Sequence, residues 1–109
     1  MRKLALSFTL LALLAPLAYA AKHEVRVDDN FFKPEKLTII KGDKVTWKWK
    51  GSDIHTVSMK KPGEKEISKA SPLKTEGTYS YKFRRLGKWR ILCETHPKKM
   101  RMRVIVKAP

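Results

Sequence analysis

The chain has 109 residues, a length that accommodates a single domain. Its one cysteine excludes a disulfide within the chain, and 25 basic against 10 acidic residues give a formal net charge of +15 at pH 7. Such a charge does not determine a fold, but it favours acidic partners and a strong dependence on ionic strength.

The first twenty residues have the organisation of a secretory signal peptide. Arg2 and Lys3 precede a short apolar run, and a small-residue cleavage motif ends at Ala20. The apolar run is too short to span a bilayer comfortably, so a retained membrane anchor is the lesser alternative. We therefore predict cleavage after Ala20, a periplasmic or extracellular location, and a mature domain over 21–109. Removal of Arg2 and Lys3 lowers the formal charge to +13.

The mature chain would then begin Ala21-Lys22-His23. A free amine, two deprotonated amides and an imidazole at the third position form a square-planar ligand set for copper(II) or nickel(II). The favoured alternative is that His23 is simply an exposed residue at the start of the first strand. A second metal site at this terminus is therefore the weaker of the two hypotheses.

Short segments rich in β-branched and aromatic residues recur along the mature chain, separated by turn signals. Val45, Trp47 and Trp49 share one face of such a segment, which predicts a half-buried strand. The polar connection 60–71 could hold a short helix or an irregular edge. We predict an all-β antiparallel sandwich, with strands at His23–Val27, Leu37–Ile40, Val45–Lys50, Thr78–Phe83, Lys88–Cys93 and Arg101–Lys107.

Three potential metal donors, Cys93, His96 and Met100, fall within eight residues, and His55 lies upstream. Each residue alone is more often a packing or surface residue than a ligand. Together, one thiolate, two imidazoles and a thioether form the ligand set of a blue-copper electron-transfer centre. Zinc is the main rival metal, but structural zinc sites favour several Cys or His and do not recruit Met. The cluster therefore predicts a mononuclear copper site.

Motifs across nearly the whole mature chain resemble those of the cupredoxins, and within them the plastocyanin, amicyanin and pseudoazurin group. The resemblance implies a Greek-key sandwich, one type 1 copper ion that cycles between Cu(I) and Cu(II), and a soluble one-electron carrier. It implies His55, Cys93 and His96 as equatorial ligands and Met100 as the axial ligand, with the backbone near Thr56 bonded to the Cys93 sulfur. The motifs are Phe32-x-Pro34-x-x-Leu37-x-Ile39-x-x-Gly42-Asp43-x-Val45-x-Trp47, His55-Thr56-Val57, and Gly77-x-Tyr79-x-Tyr81-x-Phe83-x-x-x-Gly87-x-Trp89-x-x-x-Cys93-x-x-His96-Pro97.

Two features of the metal-binding loop leave the axial ligand open. Three residues separate His96 from Met100, a spacing that resembles azurin-like loops, and Met102 stands where the family commonly has Gly. Met102 could therefore compete with Met100, although its parity with Val104 and Val106 suggests burial in a strand. Met100 is the favoured ligand. The family pattern also implies that the Glu94 side chain points away from the site.

The ligand set predicts an electron carrier rather than an enzyme, because all ligand positions would be filled by protein and none would remain for substrate. The resemblance implies that His96 exposes its imidazole edge as the electron port. Cations near it are predicted to form a docking rim for an acidic redox protein, unless they are merely a solvated basic strand. They are Lys98, Lys99, Arg101 and Arg103.

The main alternative function is periplasmic copper trafficking or storage, in which copper is cargo. Extra donors at His23, Met59 and Met102 keep this alternative open. Nucleic acid is an unlikely partner, since the chain has no recognised nucleic-acid motif and carries an export signal. An anionic membrane surface remains a possible incidental partner. We expect the protein to act as a monomer.

Overall fold

The computed structural model describes residues 21–109, where the chain forms nine strands and no helix. Within this range, accordingly, no helix is long and apolar enough to cross a membrane. The predicted signal peptide lies outside the described residues. The strands are β1 Lys22–Asp28, β2 Phe31–Lys33, β3 Lys36–Ile40, β4 Lys44–Trp49, β5 Ser58–Lys60, β6 Lys69–Ala70, β7 Thr78–Lys82, β8 Gly87–Leu92 and β9 Arg101–Lys107.

The strands form two sheets, and the prediction of an all-β sandwich is confirmed. The first sheet has the order β2-β1-β4-β7 and the second has the order β3-β9-β8-β5-β6. Two pairs, β1 with β4 and β3 with β9, are parallel, while the other pairs are antiparallel. Parallel neighbours cannot be joined by a tight hairpin, and here the chain leaves the sheet and returns between them.

All six predicted strands are present, with ends that differ by at most one residue. The three strands that the pattern did not predict are β2, β5 and β6, which have three, three and two residues. Such segments are too short to display a clear alternation of apolar and polar residues. Of the two expectations for 60–71, the irregular edge is correct, because β6 is an edge strand and no helix forms there.

The core lies between the sheets and is built on aromatic side chains. Trp47, Phe83 and Trp89 are essentially inaccessible to solvent. The Phe83 and Trp89 rings meet edge to face with centroids 5.0 Å apart, and the Tyr81 ring meets Phe83 in the same way at 4.8 Å. Edge-to-face contacts of this kind add roughly 0.5–1.5 kcal/mol to the free energy gained by burial. The alternation in β4 predicted a buried face, and Trp47 on that face lies in the core.

Asp43 ties the start of β1 to the turn before β4. Its carboxylate accepts hydrogen bonds from the amides of Ala21, at 2.9 Å, and Ile40, at 3.1 Å, and lies 2.9 Å from Nε2 of His23. Burial raises the pKa of the Asp43 carboxyl, but the hydrogen bonds from His23 and the two amides outweigh it and leave the pKa below its ordinary value of 3.8. Asp43 is therefore ionised in the native state and stabilises the fold.

We expect Asp43→Ala to lower the free energy of unfolding by about 1–3 kcal/mol, because it removes a buried carboxylate that accepts hydrogen bonds from two amides and His23. Denaturant unfolding of the copper-free protein measures this loss. The loss should be full above pH 3.8 and should decline as the pH falls through the lower native pKa. Asp28→Ala is the control, since it removes an ion pair with the half-exposed Arg26 and should cost less than about 1 kcal/mol. Equal losses in both variants would contradict this role for Asp43.

Candidate metal centre

The four predicted donor residues come together at one end of the sandwich. His55 lies between β4 and β5, and Cys93 directly follows β8. The loop from Cys93 to Met100 is closed by three backbone hydrogen bonds: Cys93 N to Met100 O, His96 N to Cys93 O, and Met100 N to His96 O, at 3.0–3.1 Å. Two further bonds join His55 to Lys74. These backbone bonds fix the segments that carry the donor residues.

The donor atoms lie at the separations that a shared metal ion requires. The Cys93 sulfur is 3.6 Å from Nδ1 of His55 and 3.9 Å from Nδ1 of His96, and the donor atoms of these three residues lie within 4.8 Å of one another. A first-row ion such as zinc lies about 2.3 Å from sulfur and 2.0 Å from imidazole nitrogen, so a trigonal arrangement separates these two atoms by roughly 3.7 Å. The two observed sulfur–nitrogen distances, 3.6 and 3.9 Å, fall on either side of this value. The three side chains thus fit a trigonal metal site.

Cys93 is set up to be a thiolate. Burial opposes its ionisation, but hydrogen bonds from the Thr95 hydroxyl and the Thr56 amide, with the two imidazoles nearby, lower its pKa from 9.0 to about 6. The Thr95 oxygen lies 2.9 Å from the sulfur, and the Thr56 nitrogen lies 3.4 Å from it. The bond from Thr56 is the contact that the family resemblance implied. The sequence analysis did not anticipate Thr95.

Asp29 orients His55, and the sequence analysis missed it. One carboxylate oxygen of Asp29 lies 3.1 Å from Nε2 of His55, whose Nδ1 faces the Cys93 sulfur. With the proton on Nε2, His55 donates to Asp29 and keeps the lone pair of Nδ1 for a metal. Hydrogen bonds from the amides of Asp53 and Ser52, and from His55, lower the pKa of Asp29 to about 2. A negative charge therefore stands directly behind one of the donor imidazoles.

Gly51 makes room for this carboxylate. A Cβ at residue 51 would overlap the side chain of Asp29. The turn that contains Gly51 also presents the amides of Ser52 and Asp53 to Asp29, at 2.9–3.1 Å. The composition of residues 50–53 is typical of a turn. The partner that accepts the hydrogen bonds of this turn, Asp29, lies more than twenty positions earlier in the chain. Sequence spacing alone gives no signal for that contact.

Met100 and Met102 occupy different surroundings. Met100 is fully buried at the end of the loop whose backbone also carries Cys93 and His96. Met102 lies in β9, where its sulfur accepts a hydrogen bond of 3.4 Å from the indole of Trp47 in the core. Its burial agrees with the strand parity that the sequence indicated. The sulfur of Met102 thus already has a partner between the sheets.

Glu94 is exposed, but it is attached to the network around Cys93. Its carboxylate accepts a hydrogen bond of 2.6 Å from the buried Ser58 hydroxyl, which lies 3.0 Å from the hydroxyl of Thr56. The Glu94 amide in turn donates to the Thr56 hydroxyl at 2.9 Å. These bonds fix the segment around Thr56, whose own amide donates to the Cys93 sulfur.

The remaining histidine, His23, lies apart from this cluster. Its Nε2 lies against Asp43, and the backbone of Ala21 is also bonded to that carboxylate. Lys22 and His23 belong to β1, which pairs with β4. A square-planar site at Ala21-Lys22-His23 would have to break these contacts. The terminal metal site stays a prediction, and the observed contacts do not favour it.

Comparison with known proteins gives a consistent result. The model of a family described as copper binding proteins, plastocyanin/azurin family, matches residues 20–107. A reduced, copper(I) form of an amicyanin variant is 29% identical over 85% of this chain and 88% of that chain, with a TM-score of 0.68. A purple cupredoxin from Nitrosopumilus maritimus is 23% identical over 78% of this chain and 99% of that chain, with a TM-score of 0.63, which shows the fold alone.

Two further results limit what the comparisons show about function. A copper-containing nitrite reductase from Thermus scotoductus is 22% identical, with a TM-score of 0.66, but the match covers 90% of this chain and only 26% of the enzyme. The likeness is therefore one of fold, to a fraction of that enzyme. No curated protein matches the chain. With the family match, the cluster of His55, Cys93 and His96 fits a type 1 copper site.

We expect Asp29→Asn to raise the reduction potential of the copper-loaded protein by roughly tens of millivolts, because a nearby negative charge favours the more highly charged Cu(II). Asn has nearly the same shape as Asp and can still accept the turn amides. Protein-film voltammetry measures the shift. Asp53→Asn is the control, since it removes an equal charge from the same turn while its backbone amide still donates to Asp29. A shift that is equal in the two variants would contradict a specific role for the His55–Asp29 contact.

Proposed function

The chain belongs to the plastocyanin/azurin family of copper-binding proteins, and from this premise we propose that it is an exported one-electron carrier. The family match supports a small copper protein whose role is electron transport. The observation that carries the proposal is the buried Cys93 sulfur, 3.6 and 3.9 Å from two imidazole nitrogens. The signal-like segment 1–20 supports export, with 21–109 as the mature domain.

We propose His55, Cys93 and His96 as equatorial copper ligands and Met100 as the axial ligand. Bound copper supplies one-electron chemistry through its Cu(I) and Cu(II) states. Met100 is preferred to Met102 because the Met102 sulfur is bonded to the Trp47 indole inside the core. The role of the thioether is a long, weak axial contact, for which Met100 lies on the appropriate loop.

The hydrogen bonds around the donors support fast electron exchange. Asp29 fixes the ring of His55, the Thr56 amide fixes the Cys93 sulfur, and backbone bonds close the loop to Met100. Because these contacts do not depend on the oxidation state of the ion, the ligands need to move little when an electron arrives or leaves. A fixed compromise geometry of this kind suits both oxidation states.

The surface around His96 supports docking of an acidic redox partner. His96 is half-buried, so part of the residue reaches solvent, and Lys98 and Lys99 beside it are exposed. Two apolar side chains next to the metal-site backbone are also exposed, Ile54 by 45% and Leu73 by 57%. Exposed apolar groups beside a charged rim are typical of a binding surface. Charge would steer the encounter, and a small contact area would allow rapid release.

Copper trafficking or storage, the alternative function, has no specific support. His55, Cys93 and Met100 are fully buried, which does not suit an exchangeable site. The extra donors considered for this role are also occupied or buried. His23 contacts Asp43, Met59 lies in the core, and Met102 is bonded to Trp47.

The copper-loaded protein should retain its ion through repeated cycles of ascorbate reduction and ferricyanide oxidation in the presence of a chelator. The physical reason is that three of the four proposed ligands, His55, Cys93 and Met100, are fully buried, so a chelator cannot displace them in either state. Metal analysis after desalting measures the copper-to-protein ratio. Copper lost progressively with each cycle would contradict the carrier function and would favour trafficking.

The double change Lys98→Glu and Lys99→Glu should slow oxidation of the reduced protein by ferricyanide, an anionic oxidant, by about tenfold at low salt. The effect should shrink at high salt, where charges on the surface are screened. Stopped-flow absorbance measures the rate. Tris(phenanthroline)cobalt(III), a cationic oxidant, should react faster with the same variant.

The matched control is Lys22→Glu with Lys44→Glu, which makes the same change in charge at the opposite end of the strands. These two exposed lysines are paired across β1 and β4, away from His96. Rates that change equally in both double variants would place the docking surface elsewhere.

A further inference from the structure

A row of cations crosses the outer face of the second sheet. The strand register places Lys60 opposite Arg90, Arg90 opposite Arg103, and Arg103 opposite Lys36. Lys60 is half-buried and the other three are exposed. Like charges directly opposite each other on neighbouring strands destabilise a sheet. The row therefore costs stability unless an anion neutralises it.

This row is not neutralised by carboxylates of the described residues. In the range 21–109, the ion pairs between side chains involve other cations, such as Lys48 with Glu24 and Arg85 with Glu64. Arg90 instead donates to the backbone oxygen of Glu64, at 2.6 Å. A carbonyl oxygen orients a guanidinium but leaves its charge uncompensated. The first sheet has a similar row, with Lys22 opposite Lys44 and Lys44 opposite Lys82, so the cations alone do not distinguish this face.

The same face is concave. A cavity of about 330 Å³ lies between β5, β8 and β9, a volume in the range of small-ligand sites. Four cations and one carboxylate are among its lining side chains, so its electrostatic potential is positive. Its lining includes Glu35, Lys60, Arg90, Leu92, Arg101 and Arg103.

We propose that this cavity binds a compact polyanion that carries phosphate groups, such as a soluble diphosphate or the headgroup of a phosphate-bearing lipid. Arginine presents a planar fork that pairs with two phosphate oxygens at once, and three arginines line the cavity. A concave cavity suits a compact ligand better than the flat acidic surface of a protein. The four proposed copper ligands are not among the residues that line this cavity, so binding there does not require copper coordination.

Calorimetric titration of the copper-loaded mature protein with pyrophosphate at low ionic strength tests the proposal. Wild-type protein should bind saturably, and the double change Lys60→Gln with Arg90→Gln should weaken binding by about tenfold or more, since it removes charge-assisted hydrogen bonds. The control Lys22→Gln with Lys44→Gln removes the same charge from another like-charged pair, on the first sheet. It should bind within about twofold of wild type, the residual effect expected of screened, distant charges.

A second variant keeps the test decisive if the first one does not fold. Arg103→Gln changes the cavity from β9 alone and should also weaken pyrophosphate binding. Equal weakening by the cavity variants and the control would show a general charge effect and would overturn the proposal. Absence of saturable binding to wild-type protein would also overturn it, and would leave the row as a docking surface for an acidic protein.

Vesicles distinguish the source of the phosphate. Phosphatidylcholine vesicles with and without phosphatidic acid are sedimented with each protein. Binding that requires phosphatidic acid, is lost in Lys60→Gln with Arg90→Gln, and is retained in the control identifies a lipid headgroup. Pyrophosphate binding without vesicle binding identifies a soluble anion. Both results support the cavity as the site, whereas vesicle binding that is equal in all variants contradicts a headgroup site.

Discussion

The hydrogen bond from the Thr56 amide to the Cys93 sulfur joins the two segments that supply the metal donors. One segment carries His55 into β5, and the other leaves β8 and turns back into β9. Around this bond, Ser58 and Glu94 anchor the first segment to the second, and backbone bonds close the loop to Met100. The fold thus fixes the donor atoms before any metal binds.

We propose separate functions for charges that lie at separate places on this protein. Asp29 places one negative charge behind His55, where it favours the oxidised ion. The exposed Lys98 and Lys99 follow His96 in the metal-binding loop, and we propose that they attract anionic partners. Farther along the second sheet, the row that includes Arg90 and Arg103 lines a cavity suited to phosphate. The formal charge of +15 is therefore not simply a solubility feature.

The sequence predicts much of the fold because alternation is strong where strands are long. Val45, Trp47 and Trp49 identify β4 and the core together, whereas β5 and β6 are too short to show a period. The metal cluster is likewise predictable, since its residue types are rare in the chain and three of them lie within one loop. Asp29 is not predictable in this way, because its contact with His55 depends on how two turns meet in space. The cation row is not predictable either, because the register of the strands, and not spacing along the chain, brings Lys60, Arg90 and Arg103 together.

The copper(II) spectrum tests the central claim, a thiolate-ligated type 1 site at Cys93, most directly. Protein loaded with one equivalent of copper(II) should show an intense visible band from thiolate-to-copper charge transfer, and the band should bleach on reduction. Cys93→Ser removes the thiolate while it keeps a similar size, so this variant should lack the band. A colourless copper(II) form of the unaltered protein, or an equal band in Cys93→Ser, would contradict the account.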